Sequence, residues 1–275
     1  MVAGIIGLGL MGGSLGLALK EIKYFDKILG YDHNIEHQKE AIELNLIDKI
    51  VNFEELKKVD ILFLAVPVDG IIKILKNLRD IKNSMTIIDL GSTKEKIINS
   101  CPKEIKQNLI PAHPMTGTEK FGPSASVQGL YKDKIVVLCD LESVGDRQRE
   151  LSIELFEKIG MKIIKMPSHE HDIHAAFISH LPHAISYALA NTVLSQENPE
   201  SILALAAGGF RDMSRIAKSN PDMWTDIFKQ NRTFLLQSIE LFEKELSKIK
   251  SVIQKEEWDK VHKSMKEAGK LHKIL

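Results

Sequence analysis

The chain has 275 residues, of which 44% are hydrophobic and 27% charged, so it can form one large or two ordinary domains. Lysine plus arginine and aspartate plus glutamate both number 37, and the formal net charge is +0. This balance gives no general attraction to nucleic acid or to an anionic membrane, so we expect neither as a partner. The two cysteines, Cys101 and Cys139, form no CxxC pair, which favours reduced thiols in a cytoplasmic protein.

Short apolar runs alternate with helix-period segments from the N-terminus to Met166. The uncharged start is rich in glycine and has no basic region, which argues against a signal peptide. The strand-like runs are VAGIIG (2–7), KILGYD (27–32), DILFLAVP (60–67), MTIIDLGS (85–92), a strand end in NLIPAHP (108–114), KIVVLCD (134–140) and MKIIKM (161–166). Strands alternating with helices predict a Rossmann-type, doubly wound and mainly parallel sheet of the α/β class.

Only helix-period segments follow, over 175–194, 199–209, 223–254 and 255–275. We therefore predict two domains, a Rossmann-type domain over 1–167 and an all-α domain over 168–275. The segment FLLQSIELFEKEL (234–246) is apolar enough to pack against a second subunit, so we expect a homodimer through the helical domain.

The first chemical motif is GxGxxG, formed by Gly7, Gly9 and Gly12 between a predicted strand and a predicted helix. Gly7 allows the tight turn, Gly9 lets a pyrophosphate approach the backbone, and Gly12 allows close packing of helix on strand. The helix N-terminus supplies N–H groups for the phosphates. Asp32, at the next strand end, is expected to accept hydrogen bonds from the adenosine ribose, although a turn or helix-cap role is the alternative.

These features predict NAD rather than NADP, because Asp32 would repel a 2′-phosphate and residues 33–37 contain no arginine. The predicted cofactor site is completed by neighbouring loop residues and two further strand ends, namely Leu8, Leu10, Met11, Val66, Pro67 and Ser92.

The stretch IPAHPMTGTEKFG (110–122) is interpreted as a loop, because the apolar run stops at Pro111 and Pro114 breaks a helix. It presents His113 from a stiff stem near the carboxyl end of a strand. A histidine there is suited to take a proton from a hydroxyl as hydride leaves the same carbon, and the alternative is a hydrogen bond within the loop. Ser92 either binds a substrate oxygen or caps the following helix.

Five of the ten histidines lie between 169 and 183. His180 and His183 are three apart on a helix that Pro182 is expected to kink, and we interpret them as facing the substrate rather than as a half-buried helical pair. No HExxH spacing or cysteine accompanies them, so no metal is predicted. Arg211 and Arg215 share a helical face, and one of them is a candidate clamp for a substrate carboxylate.

In this order the motifs GLGLMGGSLG, GYD, DLGSTK, AHPMTGTEKFG, ISHLPH and GGFRDMSRIAKSNPDMW resemble the prephenate dehydrogenase family of tyrosine biosynthesis, which includes arogenate and cyclohexadienyl dehydrogenases. The resemblance covers residues 1 to about 245. It implies NAD-dependent oxidative decarboxylation of prephenate to 4-hydroxyphenylpyruvate, with arogenate as the alternative small-molecule substrate. Because the glycine motif opens the chain and no α/β pattern follows residue 225, we expect neither a fused mutase domain nor an appended regulatory domain.

The resemblance also implies roles for single residues. His113 assists deprotonation of the ring 4-hydroxyl, Ser92 helps to orient that histidine, and Arg215 binds a substrate carboxylate. Weaker substrate-binding roles fall on His180, His183, Thr118, Glu119, Gly208, Asp212 and Trp224, of which Asp212 and Trp224 are candidates to reach a neighbouring subunit. Two alternatives stay open, namely another Rossmann dehydrogenase with a catalytic lysine and a nucleotide-sensing module without turnover.

Overall fold

A computed structural model describes residues 1–274 and contains one eight-stranded sheet in the order β3-β2-β1-β4-β5-β6-β7-β8. The strands are β1 (Val2–Ile6), β2 (Lys27–Tyr31), β3 (Lys49–Ile50), β4 (Ile61–Leu64), β5 (Thr86–Asp89), β6 (Leu109–Pro114), β7 (Ile135–Cys139) and β8 (Lys162–Met166). All neighbouring strands run parallel except β6 and β7, which are antiparallel. The predicted fold class is confirmed.

Helices cover both faces of the sheet and build the rest of the chain. They are α1 (Leu10–Glu21), α2 (Ile35–Glu43), α3 (Phe53–Leu56), α4 (Val68–Lys76), α5 (Glu95–Ser100), α6 (Asp146–Ile159), α7 (Ser168–Ala175), α8 (Leu181–Leu194), α9 (Pro199–Ala204), α10 (Gly208–Ser214), α11 (Pro221–Gln230), α12 (Arg232–Gln254) and α13 (Trp258–Ala268). The sequence patterns missed β3 and α3, because elements of two and four residues carry too little periodicity.

Two large apolar clusters form most of the core, one on each face of the sheet. Leu15, Leu19 and Phe156 pack on one face, and Ile71, Leu75 and Ile97 pack on the other. The central strand β4 is buried along its whole length, as expected for a parallel sheet covered on both sides. Cys101 and Cys139 are buried free thiols.

The prediction that residues 110–122 form a loop is wrong for the first five of them. Strand β6 continues through Pro114, because it changes partner along its length. Leu109–Pro111 pairs in parallel with β5, whereas Ala112–Pro114 pairs antiparallel with β7. Each proline sits where one of these short ladders ends, and there its missing N–H is tolerated.

The helical region differs from the sequence pattern at two breaks. The predicted helix 223–254 is divided at Asn231 into α11 and α12, and the segment 199–209 is divided between α9 and α10. Leu275, the end of the last predicted helix and domain, lies outside the described residues. Over residues 1–274, no helix is long and apolar enough to cross a membrane.

Candidate functional site

The glycine loop between β1 and α1 is built as a close turn. Gly7 has φ +92°, a backbone conformation that favours glycine, and a Cβ there would lie 2.3 Å from the Ala65 carbonyl oxygen. A Cβ on Gly12 would lie 1.8 Å from the Gly7 carbonyl oxygen. These two glycines are therefore required by the fold itself, because α1 lies directly against the end of β1.

Gly9 differs from both, since the nearest protein atom to a Cβ there would be the Gly122 nitrogen at 3.9 Å. No packing within the protein requires a glycine at this position. Gly9 is also the N-cap of α1, whose first turn has no side-chain cap. The open space and the uncapped N–H groups fit the pyrophosphate of a dinucleotide.

Asp32 closes the loop from the end of β2 and is 5% exposed. One of its carboxylate oxygens accepts a hydrogen bond from the Leu8 N–H at 2.8 Å, and the other accepts one from the Asn34 N–H at 2.9 Å. Asn34, not Asp32, caps α2. Asp32 therefore fixes the glycine loop, and Nδ1 of His33 and Nδ1 of His37 lie 3.2 Å and 3.6 Å from its two oxygens. Its contact with a ribose stays a prediction.

The other predicted cofactor residues surround this turn in different ways. Leu8 and Leu10 have buried side chains, so they offer only backbone groups to a ligand. Met11 and Val66 are partly buried, and Pro67 is exposed as the N-cap of α4. The loops after β1 and β4 thus meet at the carboxyl edge of the sheet, where Rossmann folds bind nucleotides.

His113 lies near the end of β6 with its ring half-buried. Its Nδ1 is 2.8 Å from Nε2 of His171, and the two rings meet edge to face with centroids 5.0 Å apart. Burial lowers the pKa of His113 well below its ordinary value, and the ammonium group of Lys94 acts in the same direction. The neutral ring is therefore the resting form at neutral pH, as a general base requires.

Ser92 follows β5 and is half-buried, but it does not cap α5. That cap comes from Asp172, whose two carboxylate oxygens accept hydrogen bonds from the Lys94 N–H at 2.8 Å and the Glu95 N–H at 3.0 Å. The Ser92 hydroxyl is therefore not committed to the helix. The partner found for His113 is His171 rather than Ser92.

Lys94 is fully buried beside this cluster. Its ammonium group pairs with Asp89 and donates a 2.8 Å hydrogen bond to the Ala112 carbonyl oxygen. The lysine thus fixes the backbone next to His113, and it is not exposed to a substrate.

The helical histidines occupy two environments. Residues Ala176–His180 form a π-helical turn that ends two residues before Pro182. Helices commonly kink at such turns and at proline, so the kink at Pro182 stays a prediction. His180 is 1% exposed, its Nδ1 lies 3.1 Å from Nδ2 of Asn231, and burial lowers its pKa to about 4. Its buried Nε2 has no hydrogen-bond partner within residues 1–274, so the substrate-facing role of His180 stays a prediction.

His183 is half-buried and donates from Nδ1 to the Ser179 carbonyl oxygen at 2.9 Å. Its ring stacks on Trp224 with centroids 3.4 Å apart. Burial lowers the pKa of His183, so its Nε2 is an acceptor at neutral pH. The Ser219 hydroxyl lies 3.5 Å from this nitrogen. Trp224 is 7% exposed in the single chain, and its contact with a neighbouring subunit, which the family resemblance implies, stays a prediction.

Arg215 extends from the helical region towards the loop after β6. Its guanidinium lies 3.9 Å from the Glu119 carboxylate, and its side chain is 61% exposed, so the charge is open to a ligand. Thr118 accepts a hydrogen bond from the Lys120 N–H at 3.2 Å. Arg211 donates instead to the Ala206 carbonyl oxygen, and Gly208 and Asp212 are exposed on α10.

Sequence reasoning missed four residues around His113, namely Lys94, His171, Asp172 and Asn231. Asn231 donates to the Asp172 carbonyl oxygen at 2.7 Å and so ties α12 to the same cluster. Of these four, only His171 belongs to the histidine-rich stretch 169–183, which was the one sequence signal in this part of the chain. Within residues 1–274, no group of three or more His, Cys, Asp or Glu side chains is arranged to hold a metal ion.

Two family models match the chain. "Prephenate dehydrogenase, nucleotide-binding domain" matches residues 15–165, and "Prephenate dehydrogenase, dimerization domain" matches residues 167–267. The prephenate dehydrogenase of Lactococcus lactis is 33% identical over 98% of this chain and 76% of its own length, and the cyclohexadienyl dehydrogenase of Zymomonas mobilis is 31% identical over 98% and 94%.

The fold gives the same result. The crystal structure of prephenate dehydrogenase from Aquifex aeolicus, in complex with hydroxyphenyl propionate and NAD+, has a TM-score of 0.94 and 32% identity, covering 100% of this chain and 98% of the other. The prediction of NAD as cofactor is confirmed by this complex and by the nucleotide-binding family model. The chain therefore belongs to the prephenate dehydrogenase family.

Proposed function

We propose that this protein catalyses the NAD-dependent oxidative decarboxylation of prephenate to 4-hydroxyphenylpyruvate and CO2, with formation of NADH. The observation that carries this proposal is the placement of a neutral histidine, His113, at the same edge of the sheet as the glycine loop. The prephenate dehydrogenases among its relatives support the choice of substrate.

Bound NAD supplies the acceptor for the hydride that leaves ring carbon C4. His113 accepts the proton of the 4-hydroxyl at Nε2, so that the oxygen's electron pair forms a carbonyl as the hydride departs. Loss of CO2 then returns electrons to the ring and makes it aromatic. The overall reaction releases no proton, and His113 gives the proton back to the resulting phenolate oxygen.

The remaining residues orient the substrate. Prephenate carries two carboxylates, and the exposed guanidinium of Arg215 suits a bidentate hydrogen bond to one of them. Glu119 pairs with Arg215 before the ligand arrives, and Thr118 lies beside it in the loop. We assign Ser92 to the 4-hydroxyl beside His113, and His183 to a polar contact from the helical region.

A side-by-side assay with prephenate and arogenate tests the proposal. NADH absorbance is followed after the protein is mixed with NAD and either substrate, with NADP in place of NAD as the control. Rapid NADH formation with prephenate is the expected result. Turnover of arogenate alone would identify arogenate as the substrate. If neither substrate gave NADH, the proposed function would be refuted.

We also propose that the boundary between the cofactor domain and the helical domain lies near residue 167. The protein is proposed to be a cytoplasmic homodimer that forms through the helical domain. Leu236, Leu241 and Leu246 of α12 are between 42% and 54% exposed in the single chain. A second copy packed around α12 would bury these side chains, and the family model describes the region as a dimerization domain. Light scattering during gel filtration is expected to give twice the mass of one chain. The Leu241→Glu variant is expected to have a lower measured mass than wild type. A monomeric wild-type protein would refute the dimer.

A further inference from the structure

A continuous line of hydrogen bonds runs from His113 to the N-terminus of α5. Nδ1 of His113 lies 2.8 Å from Nε2 of His171, and Nδ1 of His171 lies 2.7 Å from a carboxylate oxygen of Asp172. Both carboxylate oxygens of Asp172 also accept backbone N–H groups from α5. His171 and Asp172 are 2% and 3% exposed, so water does not compete for these bonds.

The donors and acceptors in this line determine one another. Both carboxylate oxygens of Asp172 already accept backbone N–H groups, so the hydrogen bond to His171 is assigned with Nδ1 of His171 as the donor. A neutral His171 ring with its single N–H at Nδ1 has Nε2 as an acceptor. The hydrogen between the two rings then belongs to Nδ1 of His113, and Nε2 of His113 is the bare nitrogen.

We propose that His171 and Asp172 are positioning residues that hold His113 in its Nδ1–H tautomer, with Nε2 free to accept the substrate's proton. They also stabilise the imidazolium that forms on His113, because its Nδ1–H then donates to a ring that is itself bonded to a carboxylate. The inference rests on the proposed function only in naming the substrate hydroxyl as the proton donor.

The surrounding contacts make this arrangement rigid. Asp172 is held by the first turn of α5, its carbonyl oxygen is held by Asn231, and the peptide before His113 is held by Lys94. The line of hydrogen bonds thus joins the helical region to the sheet at His113, the proposed base. A one-residue change in it is expected to alter the orientation of His113 without touching the glycine loop.

The tautomer itself is measured in the ligand-free wild-type protein, by NMR of 15N-labelled histidine at pH 7.5. The His113 resonances are assigned by their loss in His113→Asn, and exposed His262 serves as the internal control for an ordinary tautomer mixture. A protonated Nδ1 and a bare Nε2 on His113 are expected. The opposite tautomer, or a freely exchanging mixture, would overturn the proposal whatever the enzyme's substrate proves to be.

Substitutions then test the consequence for turnover. His171→Leu is expected to lower kcat at least about 100-fold, with KM and NAD affinity changed less than about threefold. His171→Gln retains an acceptor for His113 and a donor for Asp172, and is expected to recover kcat to within about tenfold of wild type. His169→Leu, at an exposed neighbouring histidine, is the matched control and should keep kcat.

Two results would contradict the positioning role. One is a His171→Leu protein that keeps kcat within about threefold, and the other is a His171→Gln protein as impaired as His171→Leu. If His171→Leu does not fold, as judged by its thermal melt, the comparison of His171→Gln with wild type and the tautomer measurement still decide the question.

Discussion

Replacing Gly9 by alanine separates ligand binding by the glycine loop from its structural role. Gly9 has φ −71° and ψ −159°, a conformation open to any residue, and its new Cβ would meet no protein atom closer than 3.9 Å. We expect the free energy of unfolding to fall by no more than about 1 kcal/mol, the usual cost of alanine at an N-cap. For a chain of this size that is a shift of roughly 2–4 °C in Tm.

The same methyl group occupies the space that the pyrophosphate needs. We expect NAD to bind at least tenfold more weakly to Gly9→Ala, which corresponds to about 1.4 kcal/mol. Gly12→Ala is the matched contrast, because its Cβ would lie 1.8 Å from the Gly7 carbonyl oxygen and α1 must move away from β1. We expect that variant to lose about 3 kcal/mol or more of stability.

Calorimetric titration with NAD and thermal melts of the ligand-free proteins measure the two effects separately. The expected pattern is weak binding with a near-normal Tm for Gly9→Ala, and a low Tm for Gly12→Ala. Wild-type NAD affinity in Gly9→Ala would refute the assignment of this loop to the cofactor. A Tm for Gly9→Ala as low as that for Gly12→Ala would refute the separation of roles.

Three further predictions concern the substrate and pH. Arg215→Ala should mainly raise KM for prephenate while Arg211→Ala leaves it unchanged in steady-state assays, and the reverse order would make Arg211 the carboxylate clamp. Because burial lowers the pKa of His113, the acidic limb of the kcat profile should lie below pH 6.5, and a limb above that value would contradict a neutral resting base. Burial lowers the pKa of His180 from 6.5 to about 4, so between these values the unfolded chain binds a proton that the folded chain does not. The free energy of unfolding should therefore fall by about 3 kcal/mol as the pH drops through this window. Urea unfolding should show a flatter pH dependence of this free energy for His180→Asn than for wild type. An equal pH dependence in the two proteins would refute the effect.

Local signals were enough to predict the strand, the glycine turn and the helix of the proposed cofactor site. A glycine turn depends on neighbouring residues, and the strand, the GxGxxG spacing and Asp32 lie within one short unit of the sequence. The geometry adds a distinction that the motif alone did not give. Gly7 and Gly12 are required by packing, whereas Gly9 is the glycine left for a ligand.

The residues around His113 could not be predicted from the sequence, because they come from distant parts of the chain. His171 lies 58 residues from His113, and Asp172 caps a helix 77 and 78 residues away. Single-sequence patterns do not specify such pairings. The prolines on either side of His113 also led to the wrong prediction of a loop. A strand that changes partner tolerates prolines where its ladders end.

The role of His113 as the base is the central claim, and one comparison tests it most directly. The kcat for prephenate oxidation and the Kd for NAD are measured for wild type and for His113→Asn, which removes the base and keeps a polar side chain. A fall in kcat of at least about 100-fold with an unchanged NAD affinity is the predicted result, in line with the usual contribution of a general base. A His113→Asn protein that retains the wild-type kcat would remove His113 from the mechanism.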